Sequence, residues 1–343
     1  MPNMTRTIAF LNQKGGVGKT TTVANVAAAM AAAGRSVGVI DLDPQAHLTL
    51  HLGIEPDGNN APEQSVYDVL TEQPSSDGFA TVADSTWIEA APNLMVMPSE
   101  VDLAAVEVEL ADQPGRTRRL ADALRHSEIA QCFDFLLLDC PPSLGLLTVN
   151  ALAAAREVIV PMQAHFLALQ GVARLLKTVG MVFEQVNPKL QVTGVVLCMF
   201  EGQTRLAAEV VENLETFFAG EREKEVPWRN CRVFKPPIRR NIKLAEAPSF
   251  GQSILEYDAS CPGAQDYTDL AQTLMRQWDK FVSARNGMPA TEQPLVTQPD
   301  EPSAEEESEP EVVVRHMAPP DDGVEPAVTV EQDVAATSEA DHS

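Results

Sequence analysis

At 343 residues and 44% apolar composition the chain is long enough to bury a large core. Its five cysteines, Cys132, Cys140, Cys198, Cys231 and Cys261, include no C-x-x-C pair, which argues against a zinc site or disulfide framework and fits a reduced cytosol. The formal charge is −24, of which −14 falls on residues 287–343, where fifteen acids face the single Arg315.

Proline-rich and poor in large apolar residues, that stretch cannot offset its chain entropy, so a disordered acidic tail is expected beyond a folded unit over 1–286. In chain order, β-type apolar runs are expected at Thr7–Asn12, Ser36–Asp41, Leu94–Pro98, Phe133–Asp139, Glu157–Pro161 and Gln191–Met199. Helical patterns fall between and after them, at 22–33, 101–110, 117–127, 144–155, 167–186, 205–219 and 264–283. The Gly/Pro/Ser-rich stretch 57–92 reads as a surface excursion with one short helix at Ser65–Thr71. The run Ile8–Leu11 is too short for a signal peptide, and the Ala-rich stretch 23–33 is too short to span a bilayer. Near-continuous apolar strands alternating with helices predict an α/β fold, a mostly parallel doubly wound sheet covered on both faces.

The first strand runs into Lys14-Gly15-Gly16-Val17-Gly18-Lys19-Thr20-Thr21 and then a helix. Strand, glycine loop and helix form the geometry in which backbone N–H groups cradle phosphate, so a P-loop NTPase is expected. Lys19 reaches the β/γ-phosphates and the Thr20 hydroxyl suits Mg²⁺. A dinucleotide fingerprint fails, because the frame from Gly16 lacks its third glycine. The usual P-loop has Gly where this chain has Gln13, and Lys14 adds a second lysine to the loop. Asp41 and Asp43 follow the second strand two residues apart. Asp139 ends the run Phe135–Leu138, at the strand end that faces the ligand crevice of such sheets, and reads as a metal-holding acid.

Asn12–Thr22 resembles the deviant P-loop of the ParA/Soj chromosome-partitioning ATPases. The resemblance continues through Val39–Gln45, Leu138–Gly145 and Asn241–Gly251, and covers about residues 5–280. It implies an ATPase using ATP and Mg²⁺. In the family the first lysine crosses a nucleotide-sandwich homodimer, so Lys14 would serve the partner's phosphates. Lys14, Lys19 and Asp43 would then form the catalytic set, with hydrolysis dependent on dimerisation. Residues 14–21 would bind nucleotide. Thr20, Asp41 and Asp139 would hold or support the metal, and Asp43 would orient the attacking water or, alternatively, cap the next helix. Cys140 reads as structural, since cluster ligation needs a repeated set of thiolates.

Residues 229–243 carry six basic side chains and no acid. The family places adenine against the segment matching Ile238–Asn241, which nominates Arg239 and Asn241, and binds DNA nonspecifically through nearby arginines. Arg205, Arg240 and Lys243 are the candidates here; a solvated basic face is the other reading. Relatives often carry Pro where Arg239 stands and Arg where Gln203 stands, and Arg205 stands two residues from the second departure. The resemblance implies a cytoplasmic, nucleoid-associated protein whose hydrolysis is stimulated by a ParB-like centromere-binding partner. A MinD-type membrane positioner is the rival reading. It calls for a basic amphipathic helix at the end of the chain, whereas this sequence ends in acid, so no stable membrane insertion is expected. A positioner of protein cargo would share the same ATP switch.

Overall fold

The computed structural model describes residues 4–56, 61–72, 80–165, 168–202 and 204–286. Gln203 and the expected acidic tail lie outside them. The strands are β1 (Arg6–Phe10), β2 (Val37–Asp41), β3 (Ile88–Ala91), β4 (Leu94–Met97), β5 (Phe135–Asp139), β6 (Glu157–Met162), β7 (Gln191–Leu197) and β8 (Arg232–Val233). They form one sheet in the order β3-β4-β2-β5-β1-β6-β7-β8, parallel except for the β3–β4 hairpin. β2, β5 and β6 are buried along their whole length, as strands covered on both faces must be.

The helices are α1 (Lys19–Ala32), α2 (His47–His51), α3 (Val66–Thr71), α4 (Ala80–Ser85), α5 (Val106–Glu109), α6 (Arg119–His126), α7 (Leu146–Ala154), α8 (Ala168–Gln185), α9 (Arg205–Glu221), α10 (Lys243–Glu246), α11 (Ile254–Asp258) and α12 (Pro262–Asn286). One core, under α1, α2, α11 and α12, includes Phe10, Met30, Tyr267 and Leu274. The other, under α3 and α5 to α9, includes Leu42, Leu138, Leu152 and Leu214. The expected α/β doubly wound architecture is therefore present. The helix expected at 65–71 begins at Val66, and Ser65 and Asp68 close a capping box around its start. The pattern at 101–110 divides into a 3₁₀ turn, Val101–Ala105, and the single turn of α5.

β1 lies between β5 and β6, and its register sets Phe10 beside Asp139 and Ile159. The chain leaves β1 towards β2 on one side and returns through β6 on the other. The strand ends around β1 are therefore a switch point, where such sheets open a crevice for ligand. At the opposite end of the sheet Arg6 donates to both carboxylate oxygens of Glu157, at 2.9 and 2.7 Å, and to the Leu274 carbonyl of α12 at 2.6 Å. Both charges are nearly buried, so their satisfied geometry fixes where α12 docks more than it adds net stability.

Candidate nucleotide site

The turn after β1 carries Gly16 and Gly18 at φ +69° and +93°, the left-handed region that side chains disfavour. At Gly18 space is also tight, since a Cβ there would stand 3.3 Å from Cys198 Cβ. Gly18 opens α1, whose start has no side-chain cap and no acid in its first turn. Its free N–H groups and positive dipole end are thus left for an anion, and buried Lys19 adds a full charge beside them. Thr22 Oγ1 donates to the Gly18 carbonyl at 2.6 Å and is in hydrogen-bond contact with Tyr267 Oη at 3.2 Å, so α12 supports the loop from below.

The acids arrive from neighbouring strands. Register pairs Asp41 with Asp139 across β2 and β5, and both are buried. Thr20 Oγ1 donates to Asp139 Oδ2 at 2.6 Å, which uses the hydroxyl's proton and leaves its lone pairs free to ligate. Asp139 Oδ1 is buried with no hydrogen-bond partner. Burial first, then the neighbouring Asp41 charge, pushes the Asp139 carboxyl well above the ordinary carboxylate range, against the opposing pull of Lys19. An orphaned carboxylate oxygen beside a free hydroxyl lone pair fits a hard, oxygen-seeking divalent cation. Asp41 is pushed up to about 6 by burial, which its hydrogen bonds partly oppose. Its Oδ1 accepts from Asp43 N–H at 3.1 Å, and its Oδ2 from Thr49 N–H and Oγ1 at 2.9 and 2.8 Å. Asp41 thus supplies negative charge behind the cation position, with both oxygens already hydrogen-bonded. Asp43 is half-buried and accepts from Gln45 N–H at 3.1 Å. It does not cap α2, whose cap position is Ala46 and has no side-chain cap bond. That disposes of the alternative reading of Asp43.

Next to the P-loop opens a cavity of about 510 Å³, lined by Gly18, Thr21, Cys198, Ile238, Asn241 and Tyr267 among others. The fold thus brings the distant 238–241 segment to the rim of the phosphate cradle. Asn241 Oδ1 accepts from Lys243 N–H at 3.0 Å, leaving the amide NH₂ as the group available to a ligand.

A profile described as an AAA domain matches residues 5–192. The chromosome partitioning protein ParA of Caulobacter vibrioides NA1000 is 39% identical over 283 residues, 82% of this chain and 98% of the relative. Bacillus subtilis sporulation initiation inhibitor protein Soj is 41% identical over 269 residues, 78% of this chain and 98% of its own length. This chain belongs to the ParA/Soj family of partitioning ATPases. Among solved structures, a Mycobacterium smegmatis protein described as cobyrinic acid a,c-diamide synthase, with bound ADP and magnesium, superposes at TM-score 0.64. It is 34% identical, over 81% of this chain and 97% of that one. The Pyrococcus furiosus cell division ATPase MinD gives a TM-score of 0.58 at 25% identity, over 80% of this chain and all of its own.

Within this ParA/Soj chain the first lysine stands apart from the rest of its loop. Lys14 is exposed; its N–H donates to Asn12 Oδ1, and its Nζ donates to His165 Nε2 at 2.8 Å. His165, on the loop after β6, carries no sequence signal of a role beside Lys14. The basic run is changed more by folding. Arg239 lines the cavity, yet its guanidinium is clamped by Asp266 at 2.7 Å and also donates to the Pro262 carbonyl. Arg240 pairs with Glu201 at 2.9 Å, Lys243 with Glu246 at 3.0 Å and Lys235 with Glu215 at 2.8 Å. Arg205 is exposed at the start of α9, with no ion pair among the described residues. The run that contains no acid in sequence is therefore largely matched by acids in space. Cys140 is buried and its thiol is pushed up by burial, while Cys132 is exposed.

Proposed function

We propose that the chain is an ATP-driven partitioning switch that binds ATP with Mg²⁺, dimerises around the nucleotide, binds DNA nonspecifically and releases it on hydrolysis. Residues 14–21 cradle the phosphates, Lys19 neutralises the β/γ oxygens, and Asn241 meets the base in the adjoining cavity, with Arg239 at its edge. Thr20 and Asp139 would hold the Mg²⁺, backed by the charge of Asp41; when bound, it neutralises phosphate charge and polarises the transferred group. Asp43 orients the attacking water. The observation that carries this reading is the division of the two lysines. Lys19 is buried beside its own glycine loop, whereas Lys14 is exposed and its Nζ meets only His165 among the described residues, which leaves it open to a second copy. A transition-state charge supplied only by a partner makes hydrolysis wait for dimerisation.

No helix among the described residues is long and apolar enough to cross a membrane. The reading places the protein in the cytoplasm on the nucleoid, with a ParB-like partner as the stimulant of hydrolysis. Its DNA surface comprises Arg205, Arg240 and Lys243. Because Glu201 and Glu246 offset two of these charges, the DNA affinity is expected to be modest, with a shallow but measurable salt dependence.

The test is binding to nonspecific duplex DNA with ATP, with ADP and without nucleotide, across a salt series. Binding only with ATP is expected, and the Arg205→Ala and Arg240→Ala variants should each reduce the salt slope by about one. Binding that ignores nucleotide, or has no salt slope, would remove DNA from the proposal.

A further inference from the structure

Asp43 lies just past the end of β2, on a connection with no regular structure of its own. An acid that orients a water must nevertheless be held to within a fraction of an ångström. Two residues supply that constraint, Thr49 from the next helix and Ser99 from 56 positions away. Ser99, just beyond β4, donates its hydroxyl to the Asp43 carbonyl at 2.8 Å. The Ser99 N–H donates to Thr49 Oγ1 at 3.0 Å, and Thr49, on α2, donates its hydroxyl to Asp41 Oδ2 at 2.8 Å. Asp41 Oδ1 closes the ring by accepting from the Asp43 N–H at 3.1 Å.

We infer that Thr49 and Ser99 are positioning residues for Asp43. Every proton in the ring has a forced direction. A carbonyl only accepts, so the Ser99 hydroxyl donates to Asp43. A backbone N–H only donates, so Thr49 Oγ1 accepts from Ser99 and turns its own proton to Asp41. Asp41, Thr49 and Ser99 are all at most 1% exposed, so water does not compete for these bonds. Asp43 is thereby fixed at both its N–H and its carbonyl, and the Gln45 N–H at Oδ1 orients its carboxylate. The far end of α2 is also anchored. A Cβ on Gly251 would stand 2.7 Å from the Gly53 Cα, so the chain just after α2 packs directly on the backbone that follows the base segment. Thr49 therefore ties Asp43 to a helix whose far end is packed against the backbone after the base segment.

This inference rests on the reading that Asp43 orients the attacking water, and the test separates the two. Full-length Thr49→Val, Thr49→Ser, Ser99→Ala, the Thr49→Val/Ser99→Ala double variant and Asp43→Ala are compared. Nucleotide affinity is read by titration with a fluorescent ATP analogue, and turnover by phosphate release at saturating ATP with Mg²⁺ and nonspecific DNA.

Thr49→Val and Ser99→Ala are expected to lower kcat about 10- to 100-fold while nucleotide affinity stays within about twofold. Thr49→Ser should keep the wild-type rate. The double variant should be no worse than the worse single, because one ring is broken in each. If Thr49→Val fails to fold, Ser99→Ala carries the test, since it removes one hydroxyl and keeps every backbone bond. Wild-type turnover in Ser99→Ala and Thr49→Val, with Asp43→Ala inactive, overturns the inference alone. Wild-type turnover in Asp43→Ala overturns the reading beneath it. Affinity and kcat falling together, unrescued by Thr49→Ser, would show the ring to be merely structural and overturns the inference as well.

Discussion

Lys19→Ala is expected to weaken ATP binding by about 10²- to 10⁴-fold while the protein stays folded. Lys19 is buried at the first position of α1, beside the glycine loop, and lies close enough to Asp139 to oppose the rise in that acid's pKa. Removing one member of a desolvated ionic contact costs about 3–5 kcal/mol, which converts to that range of affinity. The loss should be greater than for any other single side chain of the loop, because the other contacts expected from this chain to phosphate are backbone N–H groups, which truncating a side chain leaves in place. Isothermal titration with ATP and Mg²⁺ measures it, and circular dichroism checks the fold. A variant that bound ATP within about tenfold of wild type would show that the phosphates lie elsewhere.

Asp43→Ala is expected to separate binding from turnover. Asp43 lies outside the glycine loop; its Oδ1 serves the turn to Gln45, and its charge is near enough to Asp139 to push that carboxyl up. Affinity for ATP should therefore hold within about threefold, and hydrolysis should fall by about 10² or more as the water loses its orienting acceptor. With ATP the variant should accumulate as a dimer in size-exclusion chromatography with light scattering, and with ADP it should elute as a monomer. Wild-type hydrolysis by Asp43→Ala would mean that another group orients the water.

How much of this was legible in the sequence varied with how local the signal was. The P-loop, with its strand before and helix after, was readable because three glycines, two lysines and an apolar run stand within a dozen residues. Asp139 was readable because four apolar residues aim it at a strand end. The edge strands were not. β8 is only two residues long, and β3 lies at the end of a Gly/Pro/Ser-rich stretch where no alternation builds up, whereas its neighbour β4 falls on the run expected at Leu94–Pro98.

The partners of charged groups were also invisible, since the fold closes those pairs over long separations. Arg6 and Glu157 are 151 positions apart, Arg240 and Glu201 are 39, and Arg239 and Asp266 are 27. Six basic residues in a row of fifteen therefore looked more positive than the folded surface is. Thr49 and Ser99 escaped for a related reason: a buried hydroxyl has no sequence pattern, and only the packing of β4 and α2 around β2 reveals what it holds.

The most direct test of the division between Lys14 and Lys19 is a mixing experiment with two inactive chains. Lys14→Ala keeps its own Asp43, and Asp43→Ala keeps a Lys14 to lend. If Lys14 acts across a dimer, a mixed dimer holds one complete site, built from the Asp43 of the first chain and the Lys14 of the second. Phosphate release at saturating ATP should then rise in an equimolar mixture to about a quarter of the wild-type rate, since half of randomly formed dimers are mixed and each has one working site of two. A mixture no faster than the two variants measured separately, or a Lys14→Ala chain that hydrolyses ATP at the wild-type rate alone, would contradict the account.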